Sequence, residues 1–343
     1  MRGWNGRRTR WATIAALTGL LTLMGCGSGS TSTAQPARPV LARPSQLTAY
    51  SIFVTDLATG DVNQLGVATY HLSLSVHGLG LSPDGHTVYI SDISDDELIA
   101  MTFTNGKLTH ERTVRVGDQP VHMAQTPDGK LIFVTDFASK AVSVVDATTW
   151  THVKDIAVPA NPHAIVLSPD GRWAYVSCFG GAAIAVIDTQ AQTLAATIAM
   201  PSPSQPYGIA ISPDGRYLYA SDNLLGRLLV VDTASRRYLR SVPIGVKPAL
   251  IARSPDGKTL YVTNGASHTV SVVDIGADAA QPTMRANITV DGYPHGIAVT
   301  PDGRYVVVAG TSGRSLSVID AQTNTVIATI PAENDPNDVL IPA

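Results

Sequence analysis

The chain has 343 residues, 44% of them hydrophobic and 15% charged, with 24 Lys and Arg against 27 Asp and Glu for a net charge of −3. A protein that tracks a phosphate backbone shows a basic surplus or stripe; neither is present, which argues against nucleic acid as the partner. The chain has only two cysteines, which rules out a disulfide-stapled scaffold.

In chain order, Arg2, Arg7, Arg8 and Arg10 make a basic start, and Ala12–Met24 is an apolar stretch too short to span a bilayer comfortably. It ends in Leu23-Met24-Gly25-Cys26, which resembles the bacterial lipobox. The resemblance implies a lipoprotein signal peptide over residues 1–25 and a lipidated Cys26. Residues 26–44, mostly Gly, Ser, Thr, Ala and Pro, read as a disordered tether. The expected location is therefore extracytoplasmic, at the cell envelope, with the chain bound to a bacterial membrane through its N-terminal lipid. Losing four arginines with the signal leaves 20 basic against 27 acidic residues, about −7, and Cys178 as the one unmodified cysteine. Cys178 reads as a small buried hydrophobe.

The domain proper is expected over residues 45–343. Ser51–Val67 reads as an outer pair of strands like Val142–Val158, with Asp56 in the place of Asp146. Next comes a repeat. Pro-Asp-Gly recurs at Pro83, Pro127, Pro169, Pro213, Pro255 and Pro301, with steps of 44, 42, 44, 42 and 46 residues. In the last unit, Gly296–Val299, Arg304–Ala309, Ser315–Ile319 and Val326–Ile330 are short runs of strand composition, called here A, B, C and D. Pro-Asp-Gly reverses A into B, and Asp320 reverses C into D. Four short antiparallel strands at a period in the forties make a β-propeller blade. The repeated aspartates Asp146, Asp188, Asp232, Asp274 and Asp320 are then turn caps. An insert, Ile275–Ala286, falls on the same structural face as the Pro-Asp-Gly turns.

Six full repeats fill residues 77–336. The last seven residues, 337–343, follow Pro336 as His295–Thr300 follows Pro294, so they form a lone strand A. With residues 45–76 they make a split seventh blade, the C-terminal strand innermost. Pairing first and last strands removes the open edge of the ring. Pro39–Arg43 is the candidate for strand B of that blade and matches poorly, so a closing blade of three strands is one expected outcome. The fold class is an all-β, seven-bladed propeller of four-stranded antiparallel blades, expected as a monomer.

Tyr261-Val262-Thr263-Asn264, with the Ser-Pro-Asp-Gly turn before it and Val270–Asp274 after it, closely resembles the YVTN repeat of YncE-like propellers. The resemblance covers nearly all of residues 45–343. It implies the fold strongly and the function weakly, since that superfamily includes surface-layer proteins, amine dehydrogenase heavy chains, cytochrome d1 domains and lactonase-like enzymes.

The D-to-A and B-to-C connections share the face where the units differ. The start of strand A, nearest the channel, carries His77, Val121 with His122 beside it, His163, Tyr207, Ala249, His295 and Asn337. Strand B ends on the same face with Asp92, Asp136, Cys178, Asp222, Asn264 and Gly310. A two-residue A–B loop pairs His77 with Asp92; a bulged three-residue loop makes them diagonal neighbours. Either way imidazole and carboxylate meet at the channel mouth, and His268 points to the same face. His77, Asp92, His122, Asp136, His163, Tyr207, Asp222, His295 and Asn337 are the candidate ligand-binding set. His77, His163 and His295 are candidate ligands for a divalent metal, provided that blades 1, 3 and 6 bring them close enough to share an ion. The sequence holds no Gly-x-Ser-x-Gly elbow, phosphate-binding loop, His-Glu-x-x-His or Cys-x-x-Cys, so no other cofactor is implied. The expected function is a binding or scaffold module for an envelope protein, a glycan or a small ligand, rather than an enzyme. The alternatives are a metal-dependent lactonase-like or lyase-like enzyme with His77–Asp92 or His295 as acid/base, a scaffold subunit of a quinoprotein amine-dehydrogenase-like complex, and a DNA-binding YncE-like protein.

Overall fold

Short strands that recur at a fixed period bury their apolar faces by stacking copies of one sheet. In the computed structural model, which describes residues 44–276, 278–332 and 334–342 except the side chain of residue 110, that stack is a ring of seven four-stranded antiparallel sheets. The innermost strands are Val76–Leu81, Pro120–Gln125, Pro162–Leu167, Pro206–Ile211, Pro248–Arg253, Pro294–Val299 and Pro336–Leu340; they define blades 1 to 7. Each touches the next, and the seventh touches both the sixth and the first, so the ring is closed. The signal peptide, Cys26 and the tether lie outside the described residues.

Blade 7 runs in the order Pro336–Leu340, Phe53–Asp56, Asp61–Gln64, Ala68–His71. The chain ends therefore share one sheet, as expected, but the N-terminal part sits one strand further in than the sequence suggests. Phe53–Asp56 is strand B, not C, and Ala68–His71 completes a fourth strand, so neither Pro39–Arg43 nor a three-stranded blade is needed. The signal was present: Ile52–Asp56 repeats Ile132–Asp136 residue for residue. Asp56 accordingly caps the B-to-C loop, accepting the Ala58 and Thr59 N–H groups.

The turns behave as their chemistry dictates. Asp84 accepts Ser82 Oγ and the His86 N–H, and Gly85 takes φ +73°. These bonds hold the Asp84 carboxyl below its usual range. Asp146, Asp188, Asp232 and Asp320 accept backbone N–H groups of their own turns. The insert after Ile275 folds against blade 4, where the Tyr219 hydroxyl donates to the Ala279 carbonyl at 2.7 Å.

The blades are latched by the hydroxyl two residues before the loop that follows strand B. Thr55, Ser91, Thr135, Ser177, Ser221 and Thr263 each donate to a carbonyl on the next blade's innermost strand, those of His77, Val121, His163, Tyr207, Ala249 and His295, at 2.5–2.8 Å. Each accepts an N–H from its own strand A in return. The Ser/Thr of the repeat tag is thus an inter-blade bolt. Blade 6 has Ala309 at this place, and the carbonyl it would have served, that of Asn337, is met instead by His295 Nδ1 at 3.0 Å.

Candidate active site at the channel mouth

Strand A pairs strand B with a bulge after its first residue. Val76 faces Asp92 and Leu79 faces Ile90, so His77 and Gly78 together oppose Ser91. The same shift occurs in the other blades. A bulge re-aims the extra residue, here into the channel. Beside the turn the register is that of the two-residue loop, with Leu79 facing Ile90 and Leu81 facing Val88, and it is this bulge at the far end of strand A, not one in the turn, that makes His77 and Asp92 diagonal neighbours.

The residues at that bulge converge. His77, His163 and His295 are 2–4% exposed, Tyr207 7% and Asn337 1%. Ring centroids of His77 lie 5.2 Å from His122, 5.8 Å from His163 and 5.8 Å from His295. Tyr207 lies against His163 at 3.6 Å and its hydroxyl meets His295 Nε2 at 3.0 Å. Because His295 Nδ1 faces a carbonyl, it carries the proton, and Nε2 accepts from the phenol. Asn337 Nδ2 donates to the His77 carbonyl. One nitrogen from each of His77, His163 and His295 lies within 4.8 Å of the others. The separation of blades 1, 3 and 6 around the ring therefore does not keep them apart. Phe137 and Phe179, first residues of their B-to-C loops, pack edge-on to His163 and Tyr207.

Burial, then mutual repulsion, drives the imidazoles neutral: His77 and His163 titrate well below the usual range, and His122 is pushed down to about 3 by burial. Burial also lowers His295, against the opposing pull of the Asn337 carbonyl.

The expected carboxylates are elsewhere. Asp92 accepts Ser94 and Asp95 N–H groups in its own loop. Asp222 pairs Arg227 at 2.9 Å and accepts Ser204 Oγ. Asp136 meets Ser143 Oγ at 2.7 Å. None of these bonds is to an imidazole, so the His77–Asp92 acid/base pair is not assembled. The carboxylate that reaches the imidazoles is Asp338, one residue beyond Asn337, with Oδ2 3.9 Å from His122 Nδ1. His122 and Asp338 occupy the third position of their strands, where Gly78, Gly208 and Gly296 stand in other blades. A Cβ on Gly78 would come within 2.9 Å of His122 Nδ1; its absence lets His122 cross blade 1 toward blade 7. Asp338 accepts the Leu79 N–H and the Val339 N–H, yet burial raises its carboxyl to about 6. Its signal in sequence was the one acid at a repeat position that holds Gly, Ala, His or Leu in the other blades. His268 is exposed in its B-to-C loop, its Nδ1 on the Gly292 carbonyl. The Cys178 thiol is buried and pushed up to about 12 by that burial, which makes it inert.

Blade 2 carries a second carboxylate of interest. Ser143 Oγ lies 2.7 Å from Asp136 and 3.0 Å from Asp155 and accepts the Gly117 N–H. One hydroxyl proton cannot serve two carboxylates. Burial lifts Asp136 to about 8, so Asp136 keeps its proton and donates it to Ser143, which donates to Asp155. The folded state then holds more protons than the unfolded between about pH 4 and 8, and stability falls as pH rises through that window. Blade 5 holds the uncharged version, Asn264–Ser271–Asn287. Asp136→Asn with Asp155→Asn is expected to flatten the fall. At pH 8 the melting midpoint should rise by several degrees, at about 2–4 °C per kcal/mol, while at pH 4 it should move little. Thermal melts from pH 4 to 8 check this.

The model of the lactonase family of seven-bladed β-propellers matches residues 71–233 and 230–329. The chain belongs to that family. Among solved structures, this lactonase-family propeller is similar to the periplasmic gluconolactonase PpgL of Pseudomonas aeruginosa (21% identity, TM-score 0.72, covering 86% of this chain and 99% of that one). It is similar to a Bacteroides fragilis protein provisionally assigned as a 6-phosphogluconolactonase (17%, 0.76, 88% and 100%), and to hydrazine synthase of Kuenenia stuttgartiensis (25%, 0.67, 78% and 91%). No curated protein matches the sequence. The matched family is the lactonase one; the YncE-like resemblance read from the repeat tag reaches only as far as the shared seven-bladed propeller.

Proposed function

We propose that this propeller hydrolyses a lactone at the mouth of its channel, rather than serving only as a scaffold. Family membership over residues 71–329 is the observation that carries the reading. The site is consistent with it. Opening a cyclic ester needs a base to take a proton from the attacking water and a donor for the carbonyl oxygen as it becomes an oxyanion. Asp338, with a carboxyl raised to about 6, is ionised and still basic near neutral pH. The neutral His122 imidazole beside it has a buried Nε2 without a hydrogen-bond partner; with its one proton on that nitrogen, it donates to the carbonyl oxygen. The acyl C–O bond of the ring breaks, and the ring oxygen leaves with a proton as the new hydroxyl. Among the described residues of this cluster, His77, His122, His163 and His295 are neutral and Asp338 is an acid, so an uncharged lactone suits it better than a phosphorylated one.

The test is ring opening of glucono-δ-lactone, its 6-phosphate and an acyl-homoserine lactone by purified protein below pH 8. Turnover above the buffer rate, greatest on an uncharged lactone, supports the reading; buffer-level rates on all three overturn it.

The same proposal places the enzyme outside the cytoplasmic membrane on a lipid at Cys26. Its support is the basic start, the short apolar stretch and Leu23–Cys26. Cys26→Ser is expected to move the protein from the membrane fraction to the soluble extracytoplasmic fraction and to abolish palmitate labelling. Unchanged fractionation and labelling count against the anchor.

A further inference from the structure

We propose that His77, His163 and His295 form a three-imidazole site for a late first-row divalent transition metal, set in the channel between blades 1, 3 and 6. The proposal does not rest on lactone hydrolysis.

Geometry comes first. Three nitrogens no more than 4.8 Å apart enclose a point at most about 2.8 Å from each, and a zinc–imidazole bond is about 2.0–2.1 Å. Closing that gap takes side-chain shifts of less than about 1 Å, within rotamer adjustment.

The second observation is ring orientation. His77 and His163 turn toward the Val121 and Tyr207 carbonyls as His295 Nδ1 does toward that of Asn337. A proton held on Nδ1 by such a carbonyl leaves Nε2 as the lone pair each ring can offer an ion. The cation needs the neutral imidazoles that burial enforces. At His295 the outer contact is already in place. The Asn337 carbonyl holds the Nδ1 proton and leaves Nε2 as the donor, the arrangement that orients a metal-bound histidine. That carbonyl is free for the task because Ala309 lacks the hydroxyl that latches the other blades.

The donor chemistry narrows the ion. Three imidazoles without thiolate suit zinc, copper, nickel or iron and not magnesium or calcium.

The probe is Zn²⁺, titrated by calorimetry into full-length protein dialysed against a chelator, with Co²⁺ absorption reporting geometry. The expected result is one ion per chain, with affinity lowered at least tenfold by His77→Ala, His163→Ala or His295→Ala and unchanged by His268→Ala. Tyr207→Phe frees His295 Nε2 from the phenol and is expected to leave affinity equal or tighter. If an alanine variant does not fold by circular dichroism, the glutamine variant replaces it. No stoichiometric uptake, uptake insensitive to His163→Ala, or uptake lost in Tyr207→Phe overturns the assignment. Because binding is read without substrate, a failed lactone assay leaves the result standing.

Discussion

Deletion of Pro336–Ala343 is expected to abolish the cooperative fold, yielding insoluble protein or a chain with no sharp thermal transition. The strand removed is short, but its bonds are dispersed around the ring. Pairing to Phe53–Asp56 is lost together with the Asp338 N–H bond to Thr55 inside blade 7, as are the Leu79–Asp338 and Asn337–His77 bonds that tie blade 7 to blade 1, and the His295 contact that ties it to blade 6. At about 1 kcal/mol net for each hydrogen bond, these alone approach a domain's whole stability of roughly 5–15 kcal/mol. Val339 also leaves a cluster with Leu47, Ile52, Val54, Tyr305, Val307, Leu316 and Ile330, and Phe53–Asp56 becomes an open edge with unpaired N–H and C=O groups. Val339→Ala, which trims the cluster and spares the bonds, should lower the melting midpoint while leaving the transition sharp. A truncated protein that stays soluble with an unchanged midpoint would refute ring closure as the source of cooperativity.

The architecture was legible because it is written six times. Pro-Asp-Gly, the Ser/Thr of the tag and the alternating runs each have a local physical cause, and local causes survive in sequence. The position of the imidazoles was legible for the same reason: His77, His163, Tyr207, His295 and Asn337 share one repeat position. Their partners were not. Whether a residue at the end of strand B reaches the channel or its own loop depends on the bulge at His77–Gly78, which moves the register by one. Asp92, Asp136 and Asp222 therefore read as mouth carboxylates and prove to be bound locally. Asp338 was missed because its importance lies in the smallness of Gly78, on the adjoining blade of the closed ring but 260 positions away in the chain. Such a contact becomes visible only when the toroid is closed. The closing blade was misplaced by one strand for a simpler reason: the tag Ile52–Asp56 was matched to the wrong strand of the repeat.

Asp338→Asn is expected to lower kcat/KM for lactone opening by about 10²–10⁴-fold, the range for loss of a positioned general base. The mechanism also fixes the pH dependence. Burial raises the Asp338 carboxyl to about 6, so the wild-type rate should rise about tenfold per unit below that value and level off above it. The variant's residual rate should lack that limb. Asparagine carries its own cost. Asp338 accepts the Leu79 N–H on one oxygen and the Val339 N–H on the other, so whichever way the amide turns, its NH₂ opposes a backbone donor. Loss of the buried charge works in the other direction. A melting curve should therefore accompany the kinetics, and His122→Gln supplies a variant that leaves both Asp338 contacts untouched. If Asp338 is the base and His122 steadies the oxyanion, His122→Gln lowers kcat and keeps the limb near pH 6, while Asp338→Asn removes it. Both variants turning over at the wild-type rate, with the limb intact, would place the chemistry at another point of the channel.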